Sequence, residues 1–228
     1  MGSIDAGGEI RRLNWKRQPT DLRDLDIHNA FVMKKVLPIS GTTTSIAKPD
    51  VYDQGQIGSC TQNAGAAAFA FLWLKQSEVK VDPRFSRLFG YYFTRHLEGT
   101  PTTEDSGCNV RDVFKAYRRW GICFEKTWPY EDFTKEPSAE AIAEAQRHQA
   151  VHFYSCSTVQ SMKQSIHDGY PMIFGFDCFE SLESQDTAQT GIINLPEPGE
   201  STLGGHCMFI DSYDDRTGLF SGDRKSVV

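Results

Sequence analysis

Cys60 and His206 are the two residues whose types and placement first indicate chemistry. Cys60 begins an apolar stretch long enough for a buried helix, and the first turn of a helix favours an anion through its dipole and free N–H groups. Such a position should lower the pKa of the thiol and supply a thiolate nucleophile. His206 lies 146 residues later, after Gly204-Gly205 and at the start of an apolar strand. A histidine there can pair with the thiolate and protonate a leaving group.

Gln54 is a candidate for the third chemical role. It lies six residues before Cys60, across the glycine-bearing loop QGQIGSC. When a thiolate attacks a carbonyl, negative charge develops on the oxygen and needs hydrogen-bond donors. We expect the Gln54 amide and the Cys60 backbone N–H to face that oxygen, and the alternative is an ordinary loop amide.

A buried central helix is predicted to position the cysteine. Ser59 and Gln62 fit the ends of a capping box, and the run after them is apolar on every side as far as Gln76. Apolar spacing predicts four further helices, around 85–93 before Gly99, 110–117 before Gly121, 139–148 and 159–166. Strands are predicted at 172–179 and 207–213. Helices followed by strands indicate an α+β protein.

The composition of the chain excludes several classes of protein. Its 228 residues carry a net charge of −6 and are 39% hydrophobic, as in ordinary globular proteins. The longest nearly apolar run, residues 65–74, is about half the length of a membrane-spanning helix, so we expect no membrane partner. Mild acidity argues against nucleic-acid binding. The six cysteines form no CxxC pair, and His148 and His152 lack an acidic neighbour, so we expect no metal and no cofactor.

Three segments together resemble the papain-like cysteine proteases: DQGQIGSCTQNA at 53–64, WGICFEKTWPY at 120–130 and GGHCMFIDSYDD at 204–215. The similarity extends from about residue 38 to 220 and is greatest to the bacterial and viral branch, in which Thr follows the cysteine. The 146-residue separation also matches the roughly 130–150 residues of that family. The resemblance implies a two-lobed fold, with a helical N-terminal lobe around the nucleophile helix and an antiparallel β C-terminal lobe.

The resemblance also assigns roles to individual residues. It implies a cysteine endopeptidase acting on peptide or protein substrates, with Cys60 as nucleophile, His206 as general acid and base, and Gln54 in the oxyanion hole. Gly107-Cys108 would pair with an extended peptide, and the next two residues would form the wall of the pocket for the second residue before the scissile bond. The substrate-binding residues implied are Gly58, Gly107, Cys108, Asn109, Val110 and Gly205.

The sequence departs from the family at three places. The family usually has a disulfide between positions that here are Ile57 and Asp105. It orients its histidine with an asparagine about 20 residues further on, and no asparagine follows His206. The polar end SGDRKSVV is unlike a core strand. We therefore expect a truncated or altered C-terminus, in which the last strands of the β lobe, including a partner for the His206 strand, are missing or replaced, and activity that is reduced or lost.

The chain is predicted to have three parts: an irregular extension or short pro-segment at 1–47, a helical lobe at 48–150 and a β-rich lobe at 151–228. A pro-segment would inhibit the enzyme intramolecularly. Two alternatives remain open, namely an inactive papain-like peptide-binding protein and a papain-like acyltransferase or amidase. The first 30 residues lack a signal-peptide pattern, and a secreted and a cytoplasmic location are both compatible with the sequence.

Overall fold

The computed structural model describes residues 2–6, 9–27, 36–42, 48–78 and 81–222. Parts of the predicted 1–47 extension and the last six residues of the polar C-terminal end lie outside the described residues. Within the described ranges, no helix is long and apolar enough to cross a membrane. In the same ranges, no three histidine, cysteine or acidic side chains come together as a metal site would require.

Five helices form the part of the chain between residues 60 and 167, close to where they were predicted. They are α1 (Cys60–Gln76), α2 (Arg87–Glu98), α3 (Val110–Arg119), α4 (Ala139–Ala145) and α5 (Val159–His167). Helix α2 begins after Ser86, whose hydroxyl accepts a hydrogen bond from the backbone N–H of Phe89. It ends at Gly99, where φ is +70° and a glycine carries no steric penalty. Helix α4 is three residues shorter than predicted.

An antiparallel sheet follows the helices, which confirms the predicted α+β order. Its strands are β3 (Ser40–Thr42), β4 (Met172–Phe179), β5 (Thr202–Asp214) and β6 (Leu219–Gly222), and a 3₁₀ turn (Glu180–Glu183) and α6 (Gln185–Thr190) connect β4 to β5. Strand β5 carries His206, which lies opposite Phe176 of β4. Strands β3, β4 and β6 all pair with β5, so of the two alternatives expected for the partner of this strand, missing or replaced, the first is wrong.

The N-terminal part is more regular than the sequence predicted. A two-stranded antiparallel sheet forms from β1 (Gly2–Ala6) and β2 (Glu9–Leu13). The chain then continues without regular structure from Trp15 to Pro19. Strand β3, also within the predicted extension, pairs with the end of β5. The extension therefore joins the main sheet through backbone hydrogen bonds, which its polar composition does not reveal.

Helix α1 forms the centre of the main core and fixes where the site lies. As predicted, it is buried on nearly every side. Phe71 is fully buried and packs against Phe209 of β5, with ring centroids 6.3 Å apart. Helix α3 packs closely against α1 at Gly65, where an added Cβ would lie 2.9 Å from a methyl carbon of Val113. The same packing sets the start of α1 beside the middle of β5.

Replacing Phe71 with Ala should remove this contact and leave a cavity between α1 and β5. We expect the F71A variant to lose about 3–5 kcal/mol of unfolding free energy, as buried Phe-to-Ala changes do. The matched control is Phe174→Ala on β4, where the side chain is 42% exposed and the loss should be about 1 kcal/mol. Urea unfolding followed by circular dichroism measures both, and equal losses would contradict this account of the core.

Candidate active site

The nucleophile helix begins at Ser59, although its cap differs from the prediction. Ser59 makes no side-chain capping bond, and its hydroxyl lies 2.6 Å from the Tyr130 hydroxyl instead. The Gln62 amide donates to Thr94 and accepts from the Tyr117 hydroxyl. The predicted capping box is therefore wrong, because both of its side chains bind the surrounding helices and loop. These bonds fix the start of α1 from outside the helix.

The Cys60 thiol is buried, and its surroundings do not favour a thiolate. The residue is 1% exposed, and burial raises the pKa of its thiol to about 12. Backbone hydrogen bonds from Cys207, Thr61 and Asn14 act in the opposite direction but are outweighed. The expected lowering of the thiol pKa is thus wrong for this state. The physical reason is desolvation, to which the N-terminal part of the chain contributes by covering the thiol.

The predicted histidine, His206, lies on strand β5. It is 2% exposed, and its ring meets Phe176 edge-on, with centroids 5.9 Å apart. The backbone of the next residue, Cys207, is among those that bond to the Cys60 thiol. The strand that carries the predicted histidine therefore passes beside the predicted nucleophile at the start of α1.

The Gln54 side chain holds a peptide carbonyl of this chain. Its amide nitrogen donates to the backbone carbonyl of Arg12 at 3.0 Å and to that of Ile57 at 2.9 Å. Its backbone carbonyl accepts a hydrogen bond from the Tyr130 hydroxyl at 2.8 Å. The amide is thus fixed with a donor directed at a carbonyl oxygen beside the nucleophile loop. This is the type of contact that an oxyanion-hole donor makes.

An extended stretch of the chain lies in the cleft between the nucleophile helix and β5, and we call residues 12–18 the cleft segment. The backbone N–H of Trp15 donates to the Gly205 carbonyl at 2.8 Å, and that of Lys16 donates to the Cys108 carbonyl at 3.0 Å. Asn14 also forms a bridge with Gly205. The cleft therefore binds a peptide through main-chain hydrogen bonds on both of its walls.

Glycines allow the cleft segment to lie close to both walls of the cleft. A Cβ on Gly58 would lie 2.3 Å from the Asn14 side-chain nitrogen, and one on Gly107 would lie 1.7 Å from the Asn14 carbonyl oxygen. A Cβ on Gly205 would lie 2.5 Å from the Trp15 carbonyl oxygen. Any larger residue at these positions would push the peptide out of the cleft. All three glycines were among the residues predicted to bind substrate.

The two residues predicted to form a pocket wall have different surroundings. Val110 packs against the main buried cluster, as does Trp15 of the cleft segment. Asn109 is the N-cap of α3, and its side chain accepts from the Asp112 N–H at 2.9 Å and donates to Glu98 at 3.0 Å. The contacts of Asn109 therefore serve the helix start, and those of Val110 place it beside the cleft.

Asp105 is a site residue that sequence reasoning did not assign. Its carboxylate is 3% exposed and accepts from the Gly58 N–H at 3.0 Å, from the Tyr91 hydroxyl at 2.6 Å and from Arg12 at 2.9 Å. The Tyr91 hydroxyl in turn accepts from the Gly107 N–H at 2.9 Å. The network ties together the two glycine-containing edges of the cleft. The sequence signal was the joint loss of the family's cysteine pair, one member of which Asp105 replaces.

Ion pairs and one apolar anchor hold the N-terminal part of the chain in place. Lys16 pairs with Glu98 at 2.8 Å and Arg17 with Asp177 at 2.5 Å. Leu13 is 4% exposed and packs against Cys178 and Leu182, and beyond the cleft segment Asp24 pairs with Arg111. Binding thus combines apolar burial with opposite charges along the whole cleft.

Comparisons with known proteins agree with this geometry, although no protein-family model matches the sequence. The uncharacterized peptidase C1-like protein L477 of Acanthamoeba polyphaga mimivirus is 34% identical in an alignment of 205 positions, and the match covers 85% of this chain and 63% of L477. The chain thus spans less than two thirds of that relative. A procathepsin L 3 from the larval midgut of Tenebrio molitor, 18% identical with a TM-score of 0.59 over 82% of this chain and 59% of its own, shares the fold.

A higher structural similarity is to xylellain, a cysteine protease from Xylella fastidiosa. The two chains are 30% identical, the match covers 91% of this chain and 82% of xylellain, and the TM-score is 0.77. The α+β architecture, the order of the matching segments and this similarity over most of both chains agree with one another. The chain therefore belongs to the papain-like cysteine protease family.

Proposed function

We propose that the protein is a cysteine endopeptidase. The observation that carries the proposal is that an extended peptide, the cleft segment, already lies across the Cys60 thiol. It is held by main-chain bonds to Gly205 and Cys108, and the Gln54 amide binds one of its carbonyls. A cleft that binds a peptide backbone at a thiol is suited to peptide hydrolysis.

The proposed reaction uses three groups in two steps. The Cys60 thiolate adds to the substrate carbonyl carbon, while the Gln54 amide and the Cys60 N–H bind the oxyanion. His206 then gives its proton to the amine nitrogen, the C–N bond breaks and a thioester remains. Water attacks the thioester, with His206 taking its proton, and the acid product leaves the regenerated thiol. No redox or metal step is needed for this balance.

We also propose that the described state is latent, with the cleft segment as an intramolecular inhibitor. Asn14 gives the thiol a backbone N–H instead of a carbonyl carbon. Gln54 binds the carbonyl of Arg12, two residues away from Asn14. The oxyanion donor and the nucleophile therefore engage different residues of the segment, and no carbonyl is held for attack. This arrangement explains how a peptide can occupy the cleft without being cleaved.

The nucleophile is tested by replacing Cys60 with Ala in a background chain that already carries Leu13→Ala and Trp15→Ala, because these changes weaken the proposed inhibitory segment. We expect C60A to lose all hydrolysis of small fluorogenic peptides and all labelling by an epoxysuccinyl peptide inhibitor, because both require the thiolate. The matched control is Cys156→Ala, which removes a half-buried cysteine. This variant should keep both the hydrolysis and the labelling. Unchanged turnover in C60A would contradict the proposal, and labelling without turnover in the background chain would favour the acyltransferase alternative.

The latent state is tested by weakening the anchors of the cleft segment. The double variant Leu13→Ala and Trp15→Ala should hydrolyse small peptides at least tenfold faster than the parent, since truncating one buried Leu costs about 2–5 kcal/mol of packing. The control is Leu22→Ala, in the same part of the chain but 98% exposed, which should leave the rate unchanged. A rate for the double variant equal to that of the parent, with the fold intact, would show that the segment does not inhibit.

The raised thiol pKa predicts slow alkylation of Cys60 in the full chain. At pH 8 a thiol with a pKa of about 12 is ionised in about one molecule in 10⁴, against about one in four at the ordinary value. We expect iodoacetamide to label Cys60 about 10³-fold more slowly than free cysteine, and the rate to rise tenfold per pH unit through pH 10. Peptide mapping measures the rate of Cys60 labelling, and a plateau of this rate below pH 9 would contradict the burial of the thiol.

A further inference from the structure

A cavity of about 340 Å³ lies at the edge of the cleft, beside the loop that precedes the nucleophile. Among the described residues, it is lined by Arg12, Gln56, Ile57, Asp105, Glu131, Asp132 and Phe133. Three of these side chains are carboxylates. The single cation among them is Arg12, which belongs to the cleft segment and not to the walls.

The walls of this cavity are fixed by buried bonds. Arg95 is fully buried, and its guanidinium donates to the backbone carbonyls of Glu104 at 2.8 Å and Phe133 at 2.6 Å. It therefore ties the loop before Asp105 to the loop that carries the other two carboxylates. The Asp105 carboxylate is itself held by the Gly58 N–H and the Tyr91 hydroxyl. The acidic wall is thus formed before any ligand arrives.

Arg12 occupies the cavity as a ligand from the chain itself. Its guanidinium lies 2.9 Å from the Asp105 carboxylate, and the two side chains are 46% and 3% exposed. A buried carboxylate is costly unless it is paired. Lys135 lies 3.9 Å from Asp132 but is 64% exposed and does not line the cavity. When the cleft segment leaves, the cavity loses the Arg12 cation, and its carboxylates favour the binding of another cation.

The Asn14 side chain extends from the thiol toward Asp105, one of the residues that line the cavity. The Asn14 backbone bonds to the Cys60 thiol, and its side chain passes between Gly58 and Gly107. The side-chain nitrogen ends 2.9 Å from the Asp105 backbone carbonyl. A substrate residue that takes this place would direct its side chain toward Asp105, which is part of the cavity wall. Only a long side chain with a cationic end would reach the carboxylates that line the cavity.

We propose that this cavity selects substrates with Arg or Lys at the residue whose carbonyl is attacked. Asp105 is the main specificity-determining residue, and Glu131 and Asp132 form the acidic rim. In the latent state Arg12 stands in for the substrate cation. The inference rests on the proposed peptidase function and adds the class of peptide that the site takes.

The test is a competition between two peptides in one vessel. Acetyl-Ala-Leu-Arg-aminomethylcoumarin competes with the same peptide carrying citrulline, which has the shape of arginine without its charge. Both peptides use the same open enzyme, so the ratio of their cleavage rates does not depend on how much of the full chain is latent. We expect Arg to be favoured by about tenfold to a hundredfold, as a charge-assisted hydrogen bond provides.

Variants assign the preference to the cavity. The ratio should fall to within threefold of one in Asp105→Asn and stay unchanged in Glu104→Gln, the neighbouring exposed carboxylate outside the cavity. The double variant Glu131→Gln and Asp132→Asn changes one exposed and one partly exposed carboxylate and should lower the ratio by about two- to fivefold. It decides the matter if Asp105→Asn does not fold.

Three outcomes would overturn the inference. A parent ratio near one contradicts the cationic pocket and leaves the peptidase intact. A parent preference for Arg that neither the Asp105→Asn variant nor the rim double variant changes places the selectivity elsewhere in the protein. Cleavage of neither peptide, even with the Leu13→Ala and Trp15→Ala variant, contradicts the proposed function and this inference with it.

Discussion

Desolvation of the Cys60 thiol is the constraint on which the rest of the structure depends. A helix start favours a thiolate only while solvent or a cation can reach it. Here the cleft segment lies against the thiol, and burial outweighs the backbone N–H groups, so the pKa rises to about 12. The nucleophile is thereby kept neutral without any change in the helix that carries it. Helix α1 positions the thiol, and the cleft segment covers it.

The cover works because the cleft is built to accept a peptide backbone. Gly58, Gly107 and Gly205 leave no room for a side chain, and the main-chain atoms of the cleft segment fill that space. The Asp105 carboxylate then joins the first two of these glycines through hydrogen bonds. In the family a disulfide usually joins the corresponding positions. The Asp105 carboxylate also connects these positions, and it adds a negative charge to the cavity wall, which a disulfide cannot do.

Much of this site was predictable from the sequence, because local signals specify it. The apolar run after Cys60 predicted the central helix to its last residue, Gln76, and the Gly-Gly before His206 predicted a close backbone approach. The path of residues 12–18 was not predictable, since a polar segment carries no periodic signal and its position depends on distant partners such as Glu98 and Asp177. The capping box failed for the same reason, because tertiary partners outcompeted a local pattern.

In the latent state that we propose, opening of the cleft would have three consequences that follow from one movement. When the cleft segment leaves, the thiol regains solvent, the Gln54 amide loses the Arg12 carbonyl, and Asp105 loses the Arg12 guanidinium. The proposed nucleophile, the proposed oxyanion donor and the acidic cavity would therefore become available together, because the same few residues occupy all three. A segment that inhibits by filling every functional position leaves no partly active state when it is displaced. The contacts of the cleft segment also indicate which groups of the site a substrate would bind in its place.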